Sequence, residues 1–503
     1  MALNISPSLK KGGATVAIVT LFIILCLVLR DATLDDSFIS FRYAVHLAEG
    51  HGLVFNPGER VEGYSNLLWV LILAAWHALG VELEGISKIM GVFCGIATLL
   101  LAMHIFRRHF GAAEPLVIFL GLYLSTSIGM VYYAISGMET LFYAFQIILF
   151  AALIVKERPW LAAVTAATLL MTRPEGLLFI APLALFLWMR RPRRLTPLAL
   201  PILCLGALTV WRMLYYQSPL PNTFYAKIKT QSGILDYLIW HTRTFISYTW
   251  ASFPWNEVLL FFAILYVLYY FRKCDLMLAA VLVCPLFFIW FSGFDWMSFG
   301  RFYVPALPLM ALFAFAALGR LLQGDAGVRT APWKMISGLT VLIVFNLVAF
   351  WFGAESVKTG ANINPAMHSR AHRQIAHFLR RHADPGDVLV VNEVGVIGYL
   401  TETHIIDIIG LTDKTIPRFW KNQDLDAYAD YVFSFRPRFI ALNDRQEPAD
   451  VTMHPMHLAL YERMNHLGGY RLLATFPLNE YKNLLIYERF QEGSVRASGS
   501  ADS

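Results

Sequence analysis

Long apolar segments constrain this chain more than any other feature of its sequence. Three of them, 15–29, 90–106 and 115–135, approach the roughly 20 residues that an α-helix needs to cross a bilayer. Only 15% of the 503 residues are charged, whereas about 25% is usual in soluble domains. So few charges cannot cover a water-exposed surface of this size. The sequence therefore predicts a multi-pass membrane protein and excludes a cytosolic enzyme, a disordered protein and a nucleic-acid-binding module.

The basic loops between these segments predict an orientation. Lys10 and Lys11 precede the first segment, which favours a cytoplasmic N-terminus. With that orientation, every strongly basic short loop lies on the cytoplasmic side, as the positive-inside rule requires. These loops include Arg107-Arg108 and residues 190–194. About eleven segments are long and apolar enough, or nearly so, to cross the membrane: 12–29, 89–106, 115–135, 141–155, 160–171, 174–189, 196–216, 257–271, 276–291, 303–319 and 335–354.

The rest of the chain predicts a division into domains. Leu67–Leu79 is apolar but short, and we expect an interfacial or re-entrant helix there on the outer face. After residue 355, helix and strand patterns alternate, with short strands expected at Val388–Val391, Ile405–Ile409, Phe439–Leu442 and Leu484–Tyr487. The predicted fold class is an α-helical multi-pass membrane domain (1–355), a small extracytoplasmic α/β domain (356–490) and a polar, disordered tail (491–503).

Polar and charged residues gather in five loops of the predicted outer face. Asp35 and Asp36 directly follow the first apolar segment, and Arg173 and Glu175 flank a proline between two short helices, a position that usually lines a cavity. This convergence predicts an active site that opens outward. Taken singly, each residue also fits a solvated loop, a structural ion pair or a snorkelling cation. The other candidates are Arg42, Glu62, Asn66, Glu139, Asn222, Lys227, Asp295 and Arg301.

An outward-facing transfer site limits the donor substrate. Soluble nucleotide donors are made in the cytoplasm, so the donor must arrive in the membrane, for example as a polyprenyl-phosphate-linked sugar. Transfer needs a carboxylate that takes the acceptor proton, a cation that stabilises the departing phosphate, and an apolar groove for the lipid. Asp35 or Asp36 is the candidate carboxylate, and Arg173, Lys227 and Arg301 are the candidate cations. The sequence establishes no cofactor and leaves open whether a divalent metal at the two aspartates assists.

The outer-loop motifs resemble those of a known family. Residues 35–43 (DDSFISFRY), 52–56 (GLVFN) and 61–66 (VEGYSN) are similar to the first-loop signature of the GT-C glycosyltransferases. The most similar subgroup is the polyprenyl-phosphate-dependent arabinofuranosyltransferases of bacterial cell envelopes and pilins. Later sequence motifs of that subgroup are similar, in the same order, to residues 137–140, 173–176, 221–227, 295–302 and 407–413.

The resemblance implies more than the residues show by themselves. It implies a GT-C fold with juxtamembrane helices in the bacterial inner membrane, and inverting transfer of D-arabinofuranose from a decaprenyl-type phosphate donor to a glycan or pilin hydroxyl. It also favours Asp35 over Asp36 as the essential acid. Alternatives remain: a GT-C enzyme for a mannose- or aminoarabinose-type donor, an O-antigen ligase or polymerase, a docking protein, and a secondary transporter, although transporters often show an internal repeat that this sequence lacks.

Overall fold

Helices make up most of the chain before residue 360. A computed structural model describes residues 7–490 apart from 191–194, 228–233, 253, 271, 273–274, 294, 296, 324–331, 360–364, 446–454 and 480–481. The predicted disordered tail lies outside the described residues. The helices of this part are α1 (Pro7–Val28), α2 (Asp35–Ala48), α3 (Leu67–Ala78), α4 (Leu83–His109), α5 (Glu114–Thr126), α6 (Ile128–Ile135), α7 (Thr140–Val155), α8 (Pro159–Thr172), a 3₁₀ helix (Pro174–Phe179), α9 (Ile180–Arg190), a second 3₁₀ helix (Thr196–Leu198), α10 (Ala199–Tyr215), α11 (Asn222–Lys227), α12 (Ile234–Ser252), α13 (Pro254–Tyr269), α14 (Leu276–Ser292), α15 (Leu307–Gln323) and α16 (Pro332–Thr359).

The apolar helices agree with the predicted segments in position but differ in length. Among the described residues, three apolar helical segments are long enough to cross a membrane: Leu83–His109, Thr196–Tyr215 and Ile336–Lys358. The predicted 115–135 segment is two helices, α5 and α6, bent by 52° at Ser127. Seven further apolar helices have 10–17 residues. The count of about eleven crossings therefore stays a prediction.

Two helix boundaries and one helix differ from the sequence prediction. The segment expected from residue 303 forms a helix only from Leu307, after a turn in which Phe299 and Gly300 have positive φ. Helix α12 lies in a stretch that the hydropathy pattern assigns to an outer loop, because its polar and charged residues interrupt the apolar run. Helix α16 continues to Thr359, beyond the predicted domain boundary at residue 355.

The break between α8 and the first 3₁₀ helix positions two candidate residues. Arg173 has an extended backbone (φ −152°, ψ 144°), as expected for a residue that precedes a proline. The helix consequently ends at Thr172, and the chain restarts as a 3₁₀ helix at Pro174. The break directs the Arg173 side chain into the protein, where it is buried.

The C-terminal domain, called the outer domain after its predicted extracytoplasmic location, is a small mixed sheet with helices. Its helices are α17 (Pro365–His382), α18 (Val396–Leu400), α19 (Ile416–Asn422), α20 (Leu425–Ser434) and α21 (Pro455–Leu467), and its strands are β1 (Val388–Val391), β2 (His404–Asp407), β3 (Phe439–Arg445), β4 (Tyr470–Asn479) and β5 (Lys482–Arg489). The strand order is β2-β1-β3-β5-β4, parallel among β2, β1 and β3 and antiparallel beyond. The four strands predicted from the sequence are present. Strand β4 was not predicted, since Pro477 interrupts its pattern and its pairing is irregular.

The outer domain and helices α2 and α3 share one hydrophobic core. Side chains of α2 and α3 lie in the same buried cluster as those of β1, β2 and α18. The rings of Phe38 and Phe41 on α2 approach the Tyr399 ring of α18 with centroid separations of 5.5 and 5.9 Å. The outer domain is therefore packed against the loop that carries the sequence signature.

Candidate active site

The two aspartates in the first turn of α2 face different neighbours. Consecutive helical residues point about 100° apart. Asp35 is buried, accepts hydrogen bonds from the main-chain N–H groups of Gly395 (3.0 Å) and Val396 (2.9 Å), and lies 3.0 Å from Nδ1 of His372. Burial acts to raise the pKa of Asp35, but these bonds outweigh it and the pKa falls below its ordinary value. Asp35 is thus ionised and engaged by the outer domain, whereas Asp36 is half-buried.

The negative charge of Asp36 affects the pKa of the Arg301 guanidinium. Burial lowers the pKa of the Arg301 guanidinium, but the charges of Asp295 and Asp36 raise it, and the net shift is upward. Arg301 donates from Nε and Nη2 to the two carboxylate oxygens of Asp295, over 2.9 and 3.0 Å. Because Asp35 is bound by the outer domain and the charge of Asp36 acts on Arg301, Asp36 is the better candidate for the carboxylate of this cluster. The expected order of importance of the two aspartates stays a prediction.

A line of hydrogen bonds connects α2 with the break after α8. Ser40 lies one turn after the second aspartate, and its Oγ accepts from Nδ2 of Asn66 at 3.0 Å. Asn66 Nδ2 also donates to Glu139 at 2.7 Å, and Arg173 Nη1 donates to the other oxygen of Glu139 at 2.6 Å. Arg173 Nε donates to Glu175. The chain of contacts fixes the Arg173 guanidinium between two carboxylates.

A small cavity lies between the two arginines. Its water-accessible volume is about 10 Å³, close to that of a single water molecule. The Oγ1 of Thr140 and the hydroxyl of Tyr143 are buried and have no hydrogen-bond partner within the described part of the chain. Arg173 and Arg301 each use two of three guanidinium nitrogens in their ion pairs. The lining residues are Thr140, Tyr143, Arg173, Glu175, Pro285, Phe288, Arg301, Phe302 and Pro305.

Among the described residues of this cluster, negative charge exceeds positive charge. Four carboxylates lie with two guanidiniums, which favours a further cation beside a bound phosphate. Lys227, a candidate from the sequence, ends α11, and its side chain lies outside the described residues. No group of three or more His, Cys, Asp or Glu side chains in the described ranges is arranged to hold a metal ion. Metal assistance stays a prediction. The carboxylates are those of Asp36, Glu139, Glu175 and Asp295.

Three other candidate residues form hydrogen bonds or ion pairs with groups outside the charged cluster. Arg42 donates to the main-chain oxygens of Phe55, Gly398 and Thr403, and Asn222 donates to those of residues 410, 411 and 413. Glu62 forms a buried ion pair with Arg212 on α10, with oxygen-to-nitrogen distances of 2.9–3.0 Å. Their predicted contact with the donor remains a prediction.

Sequence reasoning missed Tyr143 and His372 in this region and included Thr140 only as part of the 137–140 motif. Tyr143 lies one turn after Thr140 on α7, so helical spacing from that motif could have indicated it. His372, the partner of Asp35, is 337 residues away in the chain. No local pattern marks that pairing.

One comparison with known proteins matches the sequence of the outer domain, and another matches the structure of nearly the whole chain. A family model described as a domain of unknown function (DUF8728) matches residues 361–494. No curated protein sequence matches the chain. Solved structures do match, including that of ArnT from Cupriavidus metallidurans bound to undecaprenyl phosphate, with TM-score 0.59, 13% identity, and coverage of 94% of this chain and 98% of that chain.

Two further solved structures match the chain with lower TM-scores. ArnT from Cupriavidus metallidurans in the apo state has TM-score 0.58, 16% identity, and coverage of 94% of this chain and 98% of that one. The cryo-EM structure of arabinosyltransferase EmbB from Mycobacterium smegmatis has TM-score 0.41, 14% identity, and coverage of 93% and 41%. The chain thus has the overall fold of the ArnT structures, in agreement with the GT-C membrane fold that the motifs imply.

Proposed function

We propose that the chain is a membrane glycosyltransferase of the GT-C type, which moves a sugar from a polyprenyl-phosphate donor to an extracytoplasmic hydroxyl. The observation that carries this proposal is the cavity lined by both Arg173 and Arg301, with the half-buried Asp36 near enough for its charge to raise the pKa of Arg301. This arrangement supports a site with a carboxylate for proton removal and guanidiniums for a phosphate. An ArnT structure with this fold contains undecaprenyl phosphate, which supports a lipid-phosphate donor.

In the proposed step, Asp36 removes the proton of the acceptor hydroxyl as that oxygen attacks the anomeric carbon of the donor sugar. A new carbon–oxygen bond forms, the bond between the anomeric carbon and the phosphate oxygen breaks, and polyprenyl phosphate leaves with the bonding electrons. Attack opposite the leaving group inverts the configuration. Arg301 stabilises the departing phosphate through Nη1, the guanidinium nitrogen that does not donate to Asp295.

The finer assignments rest on the motif resemblance. The donor sugar is D-arabinofuranose, the acceptor is a glycan or a pilin, and the protein lies in the bacterial inner membrane with its N-terminus in the cytoplasm. The apolar helices and the fold support an integral membrane protein. The excess of carboxylates in the site supports a role for Lys227 or a divalent cation in neutralising the donor phosphate.

The test is a donor panel applied to the purified full chain in nanodiscs. Synthetic polyprenyl-phosphate arabinofuranose, mannose and aminoarabinose are incubated with the chain and a cell-envelope glycan or pilin acceptor, and released polyprenyl phosphate is measured by mass spectrometry. We expect the arabinofuranosyl donor to be consumed by the parent and not by Asp36→Asn. Use of another sugar would change the proposed donor. No consumption of any donor, together with no binding of undecaprenyl phosphate, would refute the proposed function.

A further inference from the structure

The interface between the outer domain and the membrane domain is made by buried side chains that bind main-chain groups. On α2, Asp35 accepts from the N–H groups of Gly395 and Val396, and Arg42, two turns later, donates to the carbonyls of Gly398 and, at 3.0 Å, Thr403. Both side chains are buried. One face of α2 therefore holds both ends of α18.

Two asparagines extend this interface. Asn56 donates to the carbonyl of Ile405 (2.8 Å) and accepts from the N–H of the same residue (3.1 Å), as a neighbouring strand would do at the edge of β2. Asn222 donates to the carbonyls of Gly410 (2.8 Å), Leu411 (3.0 Å) and Asp413 (2.8 Å). The membrane domain thus binds the backbone of residues 395–413 at four separate points. Such bonds fix position, because each requires one alignment of donor and acceptor.

The interface is connected directly to the proposed base. Asp35 and Asp36 are consecutive residues of one helix, so a force on one is transmitted to the other through the backbone. The face of α2 that carries Asp35 binds the outer domain, while the face that carries Asp36 and Ser40 belongs to the charged cluster. A shift of the outer domain on α2 therefore rotates or displaces Asp36 relative to Arg301.

We propose that the outer domain is a positioning partner of the transfer site, acting through Asp35, and that the motif residues Asp35, Arg42, Asn56 and Asn222 serve this docking. The proposal rests on the proposed function, with Asp36 as the base. It assigns a role to the domain of unknown function that matches residues 361–494. Asp35 is then a positioning residue, while Asp36 meets the substrate.

Gly395 offers a test that changes no charge and no candidate residue of the site. A methyl group on Gly395 would overlap the main-chain oxygen and the carboxylate of Asp35. Its φ of −67° lies outside the left-handed region that favours glycine, so we expect the contact with Asp35 to dominate the effect of Gly395→Ala. Gly468→Ala is the matched control, since Gly468 lies in the same domain, has no atom within 4 Å of its would-be methyl group and has a φ of +63° that makes the substitution strained.

With the full chain in nanodiscs and synthetic decaprenyl-phosphoryl arabinofuranose as donor, we expect Gly395→Ala to lower kcat by about 10- to 100-fold, because small misplacements of a reacting group have effects of that size. The donor KM and the binding of undecaprenyl phosphate should stay at parental values. Hydrogen exchange of the amides of residues 395 and 396 should accelerate. Gly468→Ala should leave all of these at parental values.

His372 supplies a second pair of variants, in case Gly395→Ala does not fold. His372→Leu removes the side chain that contacts Asp35, whereas His372→Asn keeps an N–H donor near the position of Nδ1. We expect His372→Leu to lower kcat and His372→Asn to restore most of it. A parental kcat in Gly395→Ala and in His372→Leu, despite faster exchange at residues 395–396, would overturn the positioning role. A parent that consumes no donor would instead overturn the proposed function.

Discussion

Replacing each of the two adjacent aspartates by asparagine separates the base from the positioning residue. In Asp36→Asn, the side chain keeps its shape but can no longer take a proton. General-base assistance typically contributes 10²–10⁴-fold, so we expect turnover to fall by about that factor. The described hydrogen bonds between α2 and the outer domain come from Asp35 and Arg42, so the melting temperature and the exchange of the amides at residues 395–396 should be unchanged.

In Asp35→Asn, the loss should appear first at the interface. One oxygen of the carboxylate contacts Val396 and His372 and the other accepts from Gly395, so an amide whose oxygen keeps the first two contacts loses the third. Each hydrogen bond to a charged group contributes roughly 1.5–3 kcal/mol, so docking weakens by about that amount. That figure corresponds to roughly 10- to 100-fold faster exchange at residues 395–396. Turnover should fall less than in Asp36→Asn.

The assay is single-turnover transfer at matched protein concentration, with hydrogen exchange measured on the same preparations. Undecaprenyl phosphate binding serves as the control for an intact donor site. If Asp35→Asn abolishes turnover without faster exchange, and Asp36→Asn retains parental turnover, the geometry has been misinterpreted and the order implied by the family resemblance is right. If both variants retain parental turnover, neither carboxylate is the base.

Four further predictions follow from the described contacts. Arg173→Lys should lower donor use at least several-fold in a well-inserted protein, because one ammonium cannot reproduce the fork that holds Glu139 and Glu175; parental activity would assign Arg173 a purely structural role. Tyr143→Phe should leave the melting temperature unchanged but weaken undecaprenyl phosphate binding, since its hydroxyl has no partner among the described residues; unchanged binding would place the hydroxyl outside the donor site. Burial raises the pKa of Asp407 to about 6 despite bonds from N–H groups, so the folded chain retains a proton that the unfolded chain loses above about pH 4; the contribution of this group to stability should fall as the pH rises from 4 through 6, and melting curves of Asp407→Asn should lack that component. Reporter tags after residues 108 and 273 should be cytoplasmic and a C-terminal tag extracytoplasmic; protease access to residue 450 from the cytoplasmic side would contradict the orientation.

Features set by neighbouring residues could be predicted from the sequence. Strand β1 has the predicted bounds, Val388–Val391, because a short run of β-branched and aliphatic residues has few other ways to be buried. The break at Arg173 follows from the proline beside it. The charged cluster around Glu139 and Arg173 was also indicated, since charges in apolar surroundings are paired when buried.

Features that depend on distant partners could not be predicted in the same way. Helix α12 contains Asp236, His241 and Arg243, and its residues lack the long apolar run by which membrane helices are recognised. Arg42 in the first-loop signature and Asn222 in a later motif are predicted donor ligands, and the structure adds hydrogen bonds from both to the backbone of the outer domain. A side chain that binds main-chain atoms leaves no pattern in the residues it binds.

The spacing of the first-loop signature has a physical explanation in helix α2. Asp35 and Arg42 are seven residues apart, which is two helical turns, so they share the face that binds the outer domain. Asp36 and Ser40 are four residues apart and share the face directed to the charged cluster. One helix thus joins the two proposed functions. In the proposed arrangement, an acceptor that shifts the outer domain on α2 alters the position of the base, so acceptor binding and proton removal are mechanically coupled.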